Sequence, residues 1–524
     1  MAHTGPSPVL SCSAALIPRP TVFGASILSL TASLVKDYTA QSPPFMNPNH
    51  GTIPPVILDF CNITIHHTHP GTNDDVVSQI WLPTSNGSFN GRLQGVGGGG
   101  FIAGLYDYMF IEMDAAIAEG YAAVSSNAGI YTTDVNGGDA DQWALLSPGN
   151  VNYNALRNFA SQSLYDMTIL AKDIIKSYYG EALKYSYFSG CSNGGRQGYV
   201  LAQRFPELYD GIAACAPAIF WNEVLVEGHW AQQFMTERNE FPRPCELDYL
   251  HLAAIAACDE LDGVKDGILQ NPDSCTFVAS SVLDQSIVCP EAGNKTVKIS
   301  QTAVDIAHAT WTGYLPQYAE VEFQTPTGGF DVDLKFLAGT NCSNGTCVGV
   351  ASPFVPNWMR LFVAKDKDWK PGNLTRQDFE KMRMFSSREY QSVIGILDYD
   401  LGGFKERGGK LITYHGTSDP AVPYKSTLRF YQGVQAHDAS VADYYRVFLA
   451  PGLGHAIGGL GAYPNTTFHA LVDWVEKGIA PDSLQATSQP DANNKTINRV
   501  LCAWPKQANF TGGNANEFTS WTCV

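Results

Sequence analysis

A serine between two glycines is the residue of this chain best suited to act as a nucleophile. Ser192 lies in Gly-Cys-Ser-Asn-Gly at 190–194, after a strand-like run at 185–189 and before a helix-forming stretch at 196–205. Small residues two positions either side of the serine permit a tight strand–turn–helix that holds the hydroxyl clear of the sheet. We therefore expect Ser192 to attack carbonyl groups in the hydrolysis or transfer of an acyl group.

Such a serine needs a base to take its proton and a carboxylate to orient that base. Asp419 and His455 each lie in a loop that follows a strand-like run, at 410–414 and 444–449 respectively. The chain order serine, acid, histidine is that of α/β-hydrolases. The sequence thus predicts a triad of Ser192, Asp419 and His455.

Other side chains offer alternatives. If Asp419 only closes a turn before Pro420, the acid would be Asp398 or Asp400. His415 is an alternative base, although it shares the loop of Asp419.

The oxyanion of the tetrahedral intermediate needs two backbone N–H donors. The first should be the N–H of Asn193, directly after the nucleophile. The second should come from the glycine run 97–100, where Gly99 or Gly100 is our expectation. A phosphate-binding loop is the alternative, but no Lys-Ser/Thr pair follows these glycines.

These residues require an α/β sheet to position them. Strand-like runs at 56–65, 77–82 and 93–96 alternate with helical ones up to about 215, which is typical of a parallel sheet. The same alternation returns in the stretch that carries Asp419 and His455. We predict an α/β fold with an α/β-hydrolase core at 1–221 and 403–524, interrupted by a large inserted lid domain at 222–402.

The predicted lid contains an acidic loop, Cys-Asp-Glu-Leu-Asp-Gly-Val-Lys-Asp-Gly-Ile at 258–268. Three carboxylates so close repel one another unless a hard cation gathers them, and the two glycines let backbone carbonyls turn inward. Calcium fits such a set of oxygen ligands. The expected ligands are Asp259, Asp262, Val264, Asp266 and Ile268; Gln270 at the twelfth position of this loop excludes an EF-hand.

His66, His67 and His69 resemble a metal-binding cluster in composition. On a strand only His67 and His69 would share a face. We interpret the three histidines as a solvated strand end.

Composition limits the partners and the compartment. A net charge of −17 over 524 residues argues against nucleic acid and anionic membranes as partners, and no apolar run is long enough to span a bilayer. Twelve cysteines together with many Asn-x-Ser/Thr sequons indicate a disulfide-bonded, N-glycosylated, secreted protein. We expect a signal peptide upstream of this numbering. The sequons begin at Asn62, Asn86, Asn294, Asn341, Asn344, Asn373, Asn465, Asn494 and Asn509.

Four motifs together resemble the tannase and feruloyl esterase family. They are Gly-Cys-Ser-Asn-Gly-Gly-Arg-Gln at 190–197, the glycines at 97–100, the acidic loop at 258–267 and His-Gly-Thr-Ser-Asp at 415–419. The resemblance covers most of the chain. It implies an α/β-hydrolase core, a lid with structural calcium, no organic cofactor, and hydrolysis of esters of gallic or hydroxycinnamic acids. It also implies the triad and calcium ligands named above.

The chain departs from the family at one place. The family joins the cysteine before the nucleophile to a cysteine directly after the catalytic histidine, but Ala456 follows His455 here. Either packing alone holds the triad, or Cys191 pairs elsewhere, with Cys215 as a candidate. The family pattern suggests the pairs Cys12–Cys61, Cys258–Cys275 and Cys502–Cys523; Cys342 and Cys347 are close enough to pair, and elimination leaves Cys245 and Cys289.

We therefore expect a secreted serine esterase that acts on feruloyl, hydroxycinnamoyl or galloyl esters through an acyl-enzyme. Two alternatives are an esterase for other aromatic or secondary-metabolite esters and a non-catalytic binding protein, which the missing cysteine would allow. Aromatic side chains at Phe220, Trp221 and Phe354–Trp358 are candidates for stacking on an acyl ring.

Overall fold

The structure, a computed structural model, describes residues 6–85, 88–134, 137–314, 329–352, 354–372 and 374–524. Two of the predicted sequons, Asn86 and Asn373, lie outside the described residues.

A nine-stranded mixed sheet forms the centre of the molecule. Its strands are β1 Ser26–Ser42, β2 Ile53–Thr68, β3 Val76–Pro83, β4 Arg92–Val96, β5 Ala122–Ser126, β6 Tyr185–Cys191, β7 Gly211–Cys215, β8 Lys410–Gly416 and β9 Tyr445–Ala450. Their spatial order is β1-β2-β3-β5-β4-β6-β7-β8-β9.

The six strands β4 to β9 all run parallel to one another. Because the carboxyl ends of parallel strands meet at one edge of a sheet, the loops after β6, β8 and β9 converge there. Those loops carry Ser192, Asp419 and His455. The predicted α/β class and the parallel core are confirmed.

The first three strands differ from the prediction, because they pair antiparallel. The expectation of a parallel sheet from residue 56 is wrong for them, since the short link 69–75 cannot hold a crossover helix. The long β1 was not predicted at all. It pairs with β2 as far as the partner pair Ser26 and Thr68, so β2 extends beyond the predicted end at residue 65.

Five helices cover the two faces of the sheet: α1 Asp107–Ala118, α2 Ser163–Tyr179, α3 Asn193–Arg204, α4 Tyr424–His437 and α5 Thr467–Lys477. Apolar side chains of α2, α3 and α4 form one buried cluster, and those of α1 and α5 form another. Among the described residues, every helix is too short or too polar to cross a bilayer.

The segment predicted as a lid is mainly helical, and its described residues add no strand to the central sheet. One of its apolar clusters is its own, whereas another is shared with residues of the hydrolase core such as Phe101 and Trp143. The segment therefore rests firmly on the core. Its helices are Trp221–Glu227, Trp230–Arg238, Pro244–Cys258, Gln301–Thr312, Leu334–Ala338, Phe354–Trp358 and Arg376–Tyr390, and its hairpins pair Ser286–Cys289 with Lys295–Lys298 and Thr340–Ser343 with Thr346–Gly349.

All twelve cysteines are paired. The Cys191–Cys215 bridge joins the ends of the neighbouring strands β6 and β7, so the candidate partner of Cys191 is its partner in the structure. The other expected pairs are confirmed too: Cys12–Cys61, Cys245–Cys289, Cys258–Cys275, Cys342–Cys347 and Cys502–Cys523.

Candidate active site

Ser192 lies at a strained turn between β6 and α3. Its backbone has φ 59° and ψ −119°, an unfavourable conformation for a residue with a side chain. Glycines on both sides make this turn possible. A Cβ on Gly190 would lie 2.7 Å from the carbonyl carbon of Gly194, and a Cβ on Gly194 would lie 2.7 Å from Gly98 O. The turn therefore projects the serine side chain beyond the edge of the sheet.

The acid and the base meet as the sequence predicts. His455 Nδ1 lies 2.7 Å from Asp419 Oδ2. The other carboxylate oxygen, Oδ1, accepts hydrogen bonds from the N–H groups of Ala421 and Val422, at 2.8 and 2.9 Å. Asp419 is buried, so these bonds fix its carboxylate in one orientation. The imidazole of His455 is oriented in turn.

His415 supports the acid instead of replacing the base. Its Nε2 lies 3.1 Å from Asp419 Oδ2 and 2.9 Å from Val422 O, and its Nδ1 lies 2.8 Å from Thr427 Oγ1. Because a carbonyl only accepts, Nε2 carries the proton and Nδ1 accepts from the threonine hydroxyl. His415 is fully buried beside Asp419, which is unlike a base facing substrate.

The alternative acids lie elsewhere. Asp398 and Asp400 are exposed, and their Oδ1 atoms accept hydrogen bonds from the N–H groups of Asp400 and Gly402 respectively. They shape a surface turn, and Asp419 alone of the three carboxylates contacts His455.

Asp419 and His455 each shift the pKa of the other. Burial acts to raise the pKa of Asp419, but the charge of His455 and the hydrogen bonds from His415 and His455 outweigh it and hold that pKa well below its usual range. Burial acts to lower the pKa of His455, but the carboxylate of Asp419 raises it above the ordinary value of 6.5. Asp419 therefore stays ionised and strengthens His455 as a base.

Ser192 and His455 line one pocket with an empty volume of about 840 Å³, open solvent at its mouth included. The serine hydroxyl forms no hydrogen bond with a described residue, and contacts of this kind often tighten only when substrate binds. Trp221 and Phe354, two of the predicted stacking residues, line the pocket, whereas Phe220 and Trp358 are buried in the apolar clusters. Phe336, which the sequence analysis did not single out, lines it as well.

The backbone around Ser192 leaves two N–H groups for an oxyanion. Asn193 N–H is at the first position of α3, where helical N–H groups have no helical partner. In the glycine run, Gly99 donates its N–H to Ile102 O at 3.1 Å. Gly100 donates to no described residue and lines the pocket, which favours it over Gly99. The Asn193 side chain donates from Nδ2 to Ile102 O, which links the turn at Ser192 to the segment directly after the glycine run.

Known proteins match this chain over most of its length. Residues 61–524 match the sequence profile of the family described as tannase and feruloyl esterase. The chain belongs to the tannase and feruloyl esterase family. The resemblance predicted from the motifs is thereby confirmed.

Individual members of the family are similar over nearly the whole chain. A protein of Arthroderma benhamiae described as a probable feruloyl esterase is 37% identical, over 97% of this chain and 93% of its own length. A protein of Aspergillus oryzae described as tannase is 28% identical, over 98% of this chain and 94% of its own length. The solved structure of a tannin acyl hydrolase from Aspergillus niger has a TM-score of 0.84 at 26% identity, covering 97% of this chain and 93% of that one.

In this member of the family, hydrogen bonds hold the histidine loop where the family disulfide is missing. The hydroxyl of Tyr414, on β8, donates to Ala456 O at 3.1 Å. Ser418 N–H donates to Leu453 O at 3.1 Å. Ala456 itself has a φ of 63°, which costs an alanine free energy. No sequence motif indicates Tyr414, because its contact depends on the folded loop.

Asp331, from the lid segment, is a second residue that the sequence did not reveal. Its buried carboxylate accepts hydrogen bonds from the hydroxyls of Thr417 and Ser418, two residues of the loop that ends in Asp419. The lid segment thus contacts the acid loop directly.

The acidic loop at 258–268, the expected calcium site, contains oxygens of the kind that calcium binds. Its two glycines adopt positive φ, 87° at Gly263 and 80° at Gly267, as the predicted curl needs. The carbonyls of Val264 and Ile268 accept no hydrogen bond from any described residue.

Two of the three carboxylates of this loop, those of Asp259 and Asp262, keep one oxygen each without a hydrogen bond in the described chain. Oδ1 of Asp259 accepts from two backbone N–H groups, and Oδ1 of Asp262 and of Asp266 from one each. Arg499 contacts Oδ2 of Asp266. Within the described chain the free donors of this loop are therefore the Oδ2 atoms of Asp259 and Asp262 and two backbone carbonyls, and oxygen is the ligand type that calcium prefers.

The interpretation of the three histidines as a solvated strand end is wrong. His67 is fully buried and His69 mostly buried, and only His66 is partly exposed. The extension of β2 to Thr68, paired with both β1 and β3, turns His67 into the interior.

Proposed function

We propose that this protein is a secreted serine esterase that hydrolyses esters of hydroxycinnamic acids. Its family membership makes it a carboxylic ester hydrolase, and the observation that carries the proposal is the pocket that holds Ser192 and His455 together. Six disulfides and the exposed sequons at Asn294, Asn341, Asn344, Asn494 and Asn509 support an extracellular, glycosylated protein.

The proposed roles follow from the geometry. His455 takes the proton of Ser192 as Oγ attacks the ester carbonyl, and Asp419 stabilises the resulting imidazolium. The N–H groups of Asn193 and Gly100 bind the oxyanion. The alcohol leaves with the proton from His455, and a water molecule then hydrolyses the acyl-enzyme by the same steps.

The residues 222–402 would act as a lid that supplies the acyl pocket. Phe336, Phe354 and Val355 come from this segment and line the pocket opposite Ser192. Calcium, held by the oxygens of the loop at 259–268, would stabilise the same segment.

The pocket wall favours a feruloyl over a galloyl group. Most of its side chains are apolar, and its polar groups are few. Ser352 Oγ and Trp221 Nε1 have no hydrogen-bond partner among the described residues, and Glu227 lies 3.5 Å from Arg383 Nη1. A galloyl ring carries three adjacent hydroxyls, whereas a feruloyl ring carries one. Each hydroxyl buried without a partner costs about 1–3 kcal/mol. The extended feruloyl group also buries more apolar area.

Initial rates with methyl ferulate, methyl caffeate, methyl gallate and p-nitrophenyl acetate test the substrate class. We expect the highest kcat/KM for methyl ferulate, with methyl gallate at least about tenfold lower, the equivalent of one unpaired hydroxyl. Equal rates on all four esters, or a preference for gallate, would contradict the proposed specificity.

Two variants separate chemistry from recognition. Ser192→Ala should abolish hydrolysis and labelling by a serine-directed phosphonate; retained turnover would refute the proposed nucleophile. Ser352→Ala should lower kcat/KM for methyl ferulate but leave methyl cinnamate, which has no ring hydroxyl, unchanged. Tight ester binding without turnover by the wild-type protein would instead support a binding protein.

A further inference from the structure

A group of histidine and aspartate side chains lies outside the active site, between the end of β2 and the start of α2. His67 and His69 come from β2 and the residue after it, and Asp166 comes from the first turn of α2. One side-chain ligand atom from each of the three lies within 4.8 Å of the other two. The ester hydrolysis described above uses none of them.

His67 is the unusual member of this group. Its side chain is 0% exposed, and neither ring nitrogen has a hydrogen-bond partner among the described residues. Nε2 points to Asp166 but lies 3.6 Å from Oδ2, beyond hydrogen-bond distance. A buried polar group without a partner costs free energy, so a ligand for Nε2 would resolve the cost.

The two carboxylates beside His67 and His69 also favour a bound cation. Asp166 is fully buried and Asp74 is 10% exposed, and no Lys or Arg of the described chain forms an ion pair with either carboxylate. His69 alone bridges them, with Nδ1 2.6 Å from Asp74 Oδ2 and Nε2 2.9 Å from Asp166 Oδ2.

We propose that His67, His69 and Asp166 bind a zinc ion, with a water molecule as the fourth ligand. Two imidazole nitrogens and one carboxylate oxygen are a set that zinc prefers and calcium does not. Ligand atoms at zinc distances in a tetrahedron are about 3.4 Å apart. The separations of 2.9 and 3.6 Å from Asp166 Oδ2 to the two Nε2 atoms bracket that value.

The hydrogen bonds around His69 and Asp166 are also of the kind found around metal ligands. A zinc-bound histidine usually donates its other ring N–H to a carboxylate, and Asp74 occupies that position beside His69. Gln162 Nε2 donates to Asp166 Oδ1 at 2.9 Å, and Asn158 Nδ2 donates to Asp74 Oδ2 at 2.8 Å. Both amides lie in a π-helical turn, Asn158–Gln162, that precedes α2; such turns recur at functional sites.

The site would act as a structural clamp. It joins β2, near the edge of the sheet, to α2, which covers one face of the sheet. His69 is 14% exposed, so it offers a path for the ion and for the fourth ligand. The competing state has no metal and a protonated His69 that bridges the two carboxylates.

Metal content of the tag-free, full-length protein distinguishes the two states. After treatment with a transition-metal chelator and dialysis against zinc, we expect about one zinc per chain. His67→Gln and Asp166→Asn should each lower the zinc content per chain at least tenfold. The matched control is His50→Gln, because His50 is also fully buried beside a carboxylate, 3.5 Å from Glu119 Oε2. It should keep the zinc.

A spectroscopic measurement on the wild-type protein tests the proposal even if the variants fail to fold. Cobalt in place of zinc should give the intense visible absorption of a four-coordinate ion, and zinc should raise the Tm of the stripped protein. Wild-type protein without bound zinc, or His67→Gln that keeps it, would overturn the proposal. Neither result would affect the proposed esterase, since Ser192 activity is measured separately.

Discussion

The hydrogen bond from Tyr414 to the histidine loop should contribute to catalysis in place of the missing disulfide. Tyr414→Phe removes one hydroxyl and leaves Ala456 O without its donor. The net value of such a bond is about 0.5–1.5 kcal/mol. The left-handed conformation of Ala456, with φ 63°, costs about 1–2 kcal/mol. The two quantities are comparable, so loss of the bond should allow the loop to relax.

Relaxation at Ala456 moves the neighbouring His455 relative to Ser192. A displacement of about 1 Å can lower a rate about a hundredfold. We therefore expect Tyr414→Phe to lower kcat by about 10- to 100-fold with little change in KM. Steady-state kinetics with methyl ferulate, together with the Tm of each variant, measure this.

Tyr445→Phe is the matched control. Tyr445 is buried like Tyr414, on the adjacent strand β9, but its hydroxyl bonds to Tyr199 at 2.5 Å, away from the histidine loop. It should lower the Tm without lowering kcat. Ala456→Gly relieves the backbone strain, so the double variant with Tyr414→Phe should recover part of the lost kcat. Equal kcat for the two Tyr→Phe variants would refute the reasoning.

Three further predictions concern the charge of Asp419, the contact between His415 and Asp419, and the binding of calcium. Because Asp419 raises the pKa of His455, the acid limb of kcat/KM should lie above pH 6.5 in the wild type, and Asp419→Asn should lower kcat by about four orders of magnitude. Since the pKa of Asp419 is lowered in the folded state, its ionised carboxylate stabilises the fold above the unfolded pKa near 3.9, and this stabilisation is lost as the pH falls below that value. In an acid titration followed by circular dichroism, the folded structure of Asp419→Asn should therefore depend less steeply on pH than that of the wild type. His415→Ala should lower kcat more than it raises KM, and an unchanged kcat would remove His415 from its supporting role. Calcium chelation should lower the Tm of the wild type, an effect that Asp262→Asn abolishes and that Glu260→Gln, which changes an exposed residue paired with Lys265, preserves.

The positions of the proposed catalytic residues in the fold were predictable because their local sequence patterns are restrictive. The turn at Ser192 needs glycines at fixed positions, and the loops of Asp419 and His455 each follow a recognisable buried strand. Cys215 as the partner of Cys191 was also a short-range inference, since both end neighbouring strands.

Contacts between distant segments were not predictable in the same way. Asp331 reaches Ser418 across 87 residues, and Tyr414 reaches Ala456 across 42. Nothing in the local sequence of either residue indicates its partner. His67 was misjudged because its burial depends on pairing with β1, a strand whose mixed polar and apolar residues gave no clear alternation.

The pairing of Cys191 with Cys215 has a consequence for how the chain matures. The cysteines of each of the six pairs are at most 49 residues apart, whereas a bridge from Cys191 to position 456 would have spanned 265. In an oxidising compartment each thiol would thus meet its partner soon after both have entered it. The one nested set is Cys245–Cys289 around Cys258–Cys275, where joining successive cysteines gives the wrong partners. If oxidation first joined successive cysteines, isomerisation would be needed only for this nested set, which lies in the segment predicted as a lid.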